Sequence, residues 1–212
     1  MDDIKSFRSF CLLLLLGIMF VSCPGSFAEQ YQIDISPMSV APDEKINVVL
    51  HDIPQDVVLN LTINGDISAT AGEESAFLIR NFSYPYYDKS AYFNTIMTGF
   101  VPGTEATASV FRMLGEVEAS YTGEVNETGG LNTSIIHELN PSMYNVSVIG
   151  IPENDIIHAF IDFGCIARAD NSTDEPVTSK SSFILSGFND GQVEINVYID
   201  GVPQETKTIS VI

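Results

Sequence analysis

The amino-acid sequence predicts an all-β protein built of two tandem seven-stranded β-sandwiches. Apolar and polar residues alternate with period two, as in Val193 to Ile199, so that each strand has one apolar face. Turn-forming residues such as Asn64-Gly65-Asp66 follow at intervals of roughly 8 to 14 residues. Two blocks of sequence also recur in the same order in both halves of the chain. Together these observations predict a duplicated module of roughly 90 residues.

The repeat has two parts. Ile46–Pro54 reappears as Tyr144–Pro152, and Met97–Gly103 matches Leu185–Gly191. Gly129 and Gly130 are suited to a linker between the two copies. We therefore expect one sandwich in residues 29–122, a linker in 123–130 and a second sandwich in 131–212.

Each module is expected to contain seven strands, and helix content is expected to be near zero because no segment has an amphipathic helical stripe with caps. The strands predicted for the first module are 31–36, 46–51, 57–63, 76–82, 91–98, 104–112 and 117–122. Those predicted for the second are 131–137, 144–149, 156–163, 165–169, 180–186, 192–199 and 205–211.

Residues 1–28 have the features of a secretory signal peptide. Lys5 and Arg8 precede an apolar run that is too short to cross a bilayer, and Ala28 ends a small-residue cleavage site. Cys23 offers an alternative, because Val21-Ser22-Cys23 resembles the end of a lipobox and would attach the protein to a lipid. Both interpretations place the protein outside the cell or on its surface.

Composition excludes some partners. The net charge is −19, which repels phosphate backbones and disfavours nucleic-acid binding. After cleavage at Ala28, Cys165 is the single cysteine, so no intramolecular disulfide is expected. Cys165 lies in an apolar segment, which is typical of a buried core thiol.

The segment Leu139 to Val146 resembles a strand start found in immunoglobulin-like and fibronectin-like modules of secreted prokaryotic surface proteins, archaeal ones included. In these modules a Leu and a Pro, here Leu139 and Pro141, precede a Tyr, here Tyr144. The resemblance implies that the Tyr144 ring is buried and that its hydroxyl binds nearby backbone. It also implies an immunoglobulin-like sandwich, although the chain has no Trp and module one has Ile46 at the Tyr position.

Asparagine-linked glycosylation is the strongest chemical signal in the sequence. An Asn and the hydroxyl residue two positions later share one face of a strand, so sequons on wet faces can carry sugar. The alternative is that an Asn- and Thr-rich β protein collects sequons without using them. The six candidate sites are Asn60, Asn81, Asn126, Asn132, Asn145 and Asn171.

No catalytic residues, enzymatic activity or cofactor are predicted. His51, His137 and His158 are interpreted as surface histidines, and no nucleophile or phosphate-binding motif occurs. A weak calcium candidate is the oxygen-rich segment with Asp170, Asp174 and Glu175. Its spacing matches no known calcium loop, and a solvated loop is the favoured interpretation.

We expect an exported, non-catalytic cell-surface or envelope protein acting in adhesion or surface assembly. Its partner would be a protein or a surface glycan, and its sheet edges, including the apolar terminal strand Thr206–Ile212, could drive self-assembly. The alternative is a carbohydrate-binding module that uses the aromatic segment Tyr84–Phe93. Aromatics packing inside the sandwich are the simpler interpretation of that segment, whose candidate binding residues are Tyr84, Tyr86, Tyr87, Tyr92 and Phe93.

Overall fold

The computed structural model describes residues 31–41, 43–84, 88–112, 117–167, 176–187 and 191–212. These residues form strands and turns, with no helix among them, which confirms the all-β prediction. The strands are β1 Ile33–Ser36, β2 Ser39–Val40, β3 Lys45–Ile53, β4 Val58–Ser68, β5 Ser75–Tyr84, β6 Asp88–Thr98, β7 Glu105–Arg112, β8 Val117–Glu124, β9 Gly130–Leu139, β10 Ser142–Gly150, β11 Ile156–Ile166, β12 Val177–Ser186, β13 Gly191–Ile199 and β14 Val202–Val211.

The strands form two sheets packed as a sandwich, because alternation gives each strand one apolar face. In β3 the buried residues Ile46, Val48 and Leu50 alternate with half-buried Asn47 and Val49. The inward-facing side chains of both sheets form a single apolar cluster that runs from Ile33 to Val211. Burial of each large aliphatic or aromatic side chain in such a core contributes roughly 1.5–3 kcal/mol.

The strand order is that of a jelly roll. Sheet A has the order β1-β3-β12-β5-β10-β7-β8, and sheet B has the order β2-β14-β13-β4-β11-β6-β9. The eight strands β3-β12-β5-β10 and β4-β11-β6-β9 are related as in the two Greek keys of a jelly roll. The hairpins β7–β8 and β13–β14 widen sheets A and B respectively.

The predicted fold class therefore needs a correction, because the two halves of the chain do not form two sandwiches. Strand β12 lies between β3 and β5, β10 lies between β5 and β7, and β11 lies between β4 and β6. This order also differs from that of an immunoglobulin sandwich. The segment 123–130 does not link two modules, since it contains the end of β8, a turn and the start of β9.

The first part of the sequence repeat occupies corresponding places within this one sandwich. Both copies lie in sheet A, on β3 and β10. Leu50 pairs with Ser179 in the first copy, and Val148 pairs with Phe77 in the second. The strands that follow, β4 and β11, are neighbours in sheet B.

The second part of the repeat does not correspond in this way. Met97 lies near the C-terminal end of β6 in sheet B, whereas Leu185 lies on β12 in sheet A. Both segments leave their strand through a glycine with positive φ, Gly99 at 104° and Gly187 at 96°. The shared need for a left-handed residue accounts for this similarity.

The predicted strand positions agree closely with the structure in most of the chain. Two differences stand out: β11 is continuous where two strands, 156–163 and 165–169, were predicted, and the short strand β2 was missed. Gly164 lies within β11, and the ring of Tyr92 occupies the space that a side chain at this position would need.

The local motif around Tyr144 is confirmed. Its ring is buried at 1% exposure, and its hydroxyl donates to the backbone oxygen of Asn140 at 2.9 Å and accepts from the Asn140 N–H at 3.1 Å. The motif therefore fixes the turn before β10 without requiring an immunoglobulin-like strand order.

The end of the terminal strand is paired within its own sandwich. Ser210 and Val211 pair in parallel with Ser39 and Val40 of β2, and the Ile212 N–H donates to the Val40 oxygen at 3.0 Å. This pairing covers the apolar end of the terminal strand, which is one of the surfaces considered for self-assembly.

The described residues include no helix that is both long and apolar enough to cross a membrane. The predicted signal peptide 1–28 and the lipobox residue Cys23 lie outside the described residues.

Candidate ligand-binding face

The outer face of sheet B carries a continuous row of polar side chains, one from each of six adjacent strands. The row arises because successive cross-strand partners on β14, β13, β4, β11, β6 and β9 are all polar. We call it the polar row, and it consists of Thr206, Asn196, Thr62, Asp162, Asn94 and Ser134.

Hydrogen bonds fix one half of the polar row. The Thr206 hydroxyl donates to Asn196 Oδ1 at 2.7 Å, and Asn196 Nδ2 donates to the Thr62 hydroxyl at 3.2 Å and to Glu194 Oε1 at 3.0 Å. Thr62 and Asn196 are only 6% and 9% exposed, although they lie on the outer face. These side chains are therefore held in place before any ligand arrives.

The other half of the polar row is supported by Asn60 and Tyr92. Asn60 Nδ2 donates to the Tyr92 hydroxyl and, at 3.3 Å, to Asp162 Oδ1. The Tyr92 ring lies over Gly164, where a side chain on residue 164 would collide with it. The glycine thus allows the Tyr92 hydroxyl to reach Asn60 and Asp162.

The surroundings of Tyr92 keep its phenol protonated. Burial raises the pKa of Tyr92, and the negative charge of Asp162 raises it further. A protonated hydroxyl can donate to the Asp162 carboxylate while it accepts from Asn60. The Asp162 carboxylate therefore remains an acceptor of fixed orientation.

A small apolar cavity of about 50 Å³ lies below Asn60 and Tyr92. Cys165 is one of its lining residues and packs half-buried against the core, in agreement with a core thiol. The cavity is far smaller than the roughly 150 Å³ that accommodates benzene in an engineered protein core, so it does not extend the site inward.

The structure corrects the predicted aromatic platform. Tyr84 and Phe93 are buried in the core at 5% and 3% exposure, because they occupy inward-facing positions of β5 and β6. Tyr92 is the one described member that faces outward with the polar row. Tyr86 and Tyr87 lie outside the described residues.

The candidate glycosylation sites differ in how their amides are used. The Asn60 amide donates to the Tyr92 hydroxyl and to Asp162. Asn145 Oδ1 accepts a hydrogen bond from the Asn81 backbone N–H at 2.9 Å, and Asn81 is half-buried. Asn126 and Asn132 are exposed. Asn171 lies outside the described residues.

The three histidines each face one carboxylate. The distance is 3.0 Å from His51 Nε2 to Asp34 Oδ2, 3.2 Å from His137 Nε2 to Glu118 Oε2, and 2.5 Å from His158 Nδ1 to Asp66 Oδ1. The calcium candidates Asp170, Asp174 and Glu175 lie outside the described residues. Within the part of the chain that the structure describes, no three His, Cys, Asp or Glu side chains are grouped to hold a metal ion.

Sequence reasoning missed most of the polar row. Its members occupy the polar positions of alternating strands, which is a visible signal, but their alignment depends on which strands are neighbours. Asn196 and Thr62 are 134 residues apart in the chain, and only the pairing of β13 with β4 brings them together.

No protein family model and no curated protein matches this chain. Among solved structures, the C-terminal CBM6 of the laminarinase LamC from Zobellia galactanivorans is 9% identical with a TM-score of 0.30, covering 65% of this chain and 92% of that chain. The structure of infectious bursal disease virus strain Gx is 13% identical with a TM-score of 0.31, covering 89% of this chain and 50% of that chain.

A third solved structure, CapF with the inhibitor 3-isopropenyl-tropolone, is 10% identical with a TM-score of 0.25, covering 77% of this chain and 36% of that chain. The present chain thus spans half or less of the viral and CapF chains. At such TM-scores these likenesses decide nothing about function.

Proposed function

We propose that this protein is an exported, non-catalytic glycan-binding protein that acts in adhesion at the cell surface, with the polar row as its binding site. The observation that carries the proposal is the alignment of hydroxyl, amide and carboxylate side chains across six adjacent strands. Sugars present hydroxyl groups that both donate and accept, and these side chains can do the same.

The fixed geometry of the polar row favours binding. Asn196 is already bonded to Thr206 and Thr62, so little side-chain freedom is lost when a ligand arrives. Asp162 retains acceptor capacity for a sugar hydroxyl, and a hydrogen bond to a charged group is about twice as strong as a neutral one.

Charge limits the class of glycan. The net charge of −19, together with Asp162 and Glu194 at the polar row, repels sulfated, phosphorylated and uronic-acid-rich sugars. We therefore expect the ligand to be a neutral glycan.

A glycan array with the full-length protein and three variants tests the proposal. Asp162→Ala should weaken binding to a neutral glycan by about tenfold or more, since a hydrogen bond of about 1.5 kcal/mol to a charged group is lost. Asn196→Ala should also weaken binding, because Thr206 and Thr62 lose the amide that holds them in place. Asn47→Ala, a half-buried amide on β3 of sheet A, is the matched control and should leave binding unchanged.

Thermal unfolding of each variant must first establish that it is folded at the temperature of the array. Failure of the folded wild-type protein to bind any neutral glycan would refute the proposal. Equal binding by wild type, Asp162→Ala and Asn196→Ala would place the site elsewhere.

A further inference from the structure

Two large apolar side chains lie exposed beside the polar row. Ile96 and Phe160 are cross-strand partners on β6 and β11, and they are 47% and 38% exposed. They occupy the next outward-facing row of sheet B, about 7 Å from the polar row because two strand residues separate the rows. Together they form a contiguous apolar patch, and such patches can mark a surface that contacts another group.

The same row ends in a sequon. Asn132 on β9 is the cross-strand partner of Ile96, so Asn132, Ile96 and Phe160 lie on three successive strands. In Asn132-Thr133-Ser134, the first and third residues are exposed and Thr133 is 3% exposed inside the sandwich. Strands are about 4.8 Å apart, which places Phe160 about 10 Å from Asn132.

Asn132 differs from the other described sequon residues. The Asn60 amide is bonded to Tyr92 and Asp162, and Asn145 accepts the Asn81 N–H. Asn126 Oδ1 accepts from the Thr128 N–H, the Thr128 hydroxyl and the Gly130 N–H, at 2.8–2.9 Å. A glycan on Asn60 would displace bonds that hold the polar row, whereas a glycan on Asn132 would displace none of them.

We propose that Asn132 carries an N-linked glycan whose first sugars lie across Ile96 and Phe160. The donor is a lipid-linked sugar phosphate: the Asn132 amide nitrogen bonds to the anomeric carbon, the bond from that carbon to the phosphate oxygen breaks, and the amide loses one proton. The apolar C–H face of a sugar ring can pack on the Phe160 ring and on Ile96. This inference depends on the export part of the proposed function, and its test does not rely on ligand binding at the polar row.

The experiment uses the full chain, secreted from a eukaryotic host that N-glycosylates exported proteins, with a reporter sequon added at one terminus. Peptide mass mapping before and after enzymatic glycan release should find sugar on Asn132. Binding of an apolar fluorescent dye should then rise at least twofold in Asn132→Gln. It should not rise in Ser134→Thr, which keeps the Asn132 sequon and its hydroxyl.

A further variant separates loss of cover from loss of folding. Ile96→Ser in the Asn132→Gln background should return dye binding to the wild-type level, because the uncovered apolar surface is reduced. The inference is overturned if the reporter sequon is glycosylated and Asn132 is not. It is also overturned if Asn132 is glycosylated but dye binding is the same in Asn132→Gln and wild type. Neither result would bear on the glycan array, which reads Asp162 and Asn196.

Discussion

Among single residues, Tyr92 connects the core to the polar row, and its pKa is raised. Burial and the Asp162 charge raise its pKa above the ordinary value of about 10. The folded state therefore binds this proton more tightly than the unfolded state does. The contribution to stability is complete below pH 10 and is lost as the pH rises through the pKa of the folded protein.

The ultraviolet absorbance of phenolate tests this shift. The difference between wild type and Tyr92→Phe should show a tyrosine that ionises above pH 10, and Asp162→Asn should bring its pKa partly back towards the ordinary value. Only part returns because burial, the larger cause, remains. A Tyr92 that titrates at the ordinary value in the folded protein would contradict the described hydrogen bonding with Asp162.

The residues of the site were predictable only in part. Tyr92 was singled out because it lies in an aromatic cluster, and period-two alternation places it opposite to Phe93. Asp162 and Asn196 have no local signal that distinguishes them from other polar residues on strands. Their significance comes from lateral alignment, which depends on strand neighbours rather than on local sequence.

At the scale of elements, the turn between β8 and β9 requires a glycine. Gly129 has φ of 73°, and its backbone oxygen accepts from the Gly99 and Phe100 N–H groups at 3.1 Å. A Cβ on residue 129 would lie 2.7 Å from the Phe100 backbone oxygen. The turn therefore joins two strand ends in a space that excludes a side chain.

Gly129→Ala should destabilise the protein by more than about 2 kcal/mol, since backbone strain and a steric collision add. Gly103→Ala is the matched control: its φ is 75°, but nothing lies within 4 Å of the added Cβ, so only the strain of about 1 kcal/mol applies. Urea unfolding of both variants measures the difference. Equal free energies of unfolding for Gly129→Ala and Gly103→Ala would show that the contact between the added Cβ and the Phe100 backbone oxygen does not destabilise the protein.

The repeated blocks show what sequence similarity between elements can and cannot establish. The similarity of Ile46–Pro54 and Tyr144–Pro152 indicated two related strands, and both strands do lie in sheet A with corresponding partners. The similarity around Gly99 and Gly187 reflects a shared backbone conformation instead. Sequence alone could not separate these two causes, because both produce the same residue pattern.

At the scale of the whole molecule, the interleaved strands make the two halves mutually dependent. In sheet A, β5 lies between β12 and β10, so a fragment of residues 29–122 would leave both edges of β5 unpaired. The same fragment would expose inward-facing residues such as Phe77 and Ile79. It would lack the inter-strand bonds and the burial that offset chain entropy.

Fragments 29–122 and 131–212 should therefore each be unfolded, while the full chain unfolds in one cooperative transition. Circular dichroism and urea titration measure this, and mixing the two fragments should restore part of the β signal. Cooperative unfolding of 29–122 alone would contradict the interleaved strand order and favour independent modules.

The all-β composition of the fold followed from the sequence because alternation and turn spacing are local properties. The strand order did not, since both a tandem pair and one interleaved sandwich satisfy the same alternation. The deciding contacts join distant residues, as in Leu50 with Ser179, and no local pattern specifies such a pairing.

The pairing of β2 with β14 has a consequence for how the chain folds. Ser39 and Val40 can pair only after Ser210 and Val211 have been synthesised. In the same way, β3 can pair with β12 only after β12 has been synthesised. During synthesis, the first half of the chain cannot complete a native sheet on the ribosome. Such distant pairings are associated with slow folding and with prolonged exposure of unpaired strands. The early strands of the nascent protein therefore remain unpaired until the last strands have been synthesised.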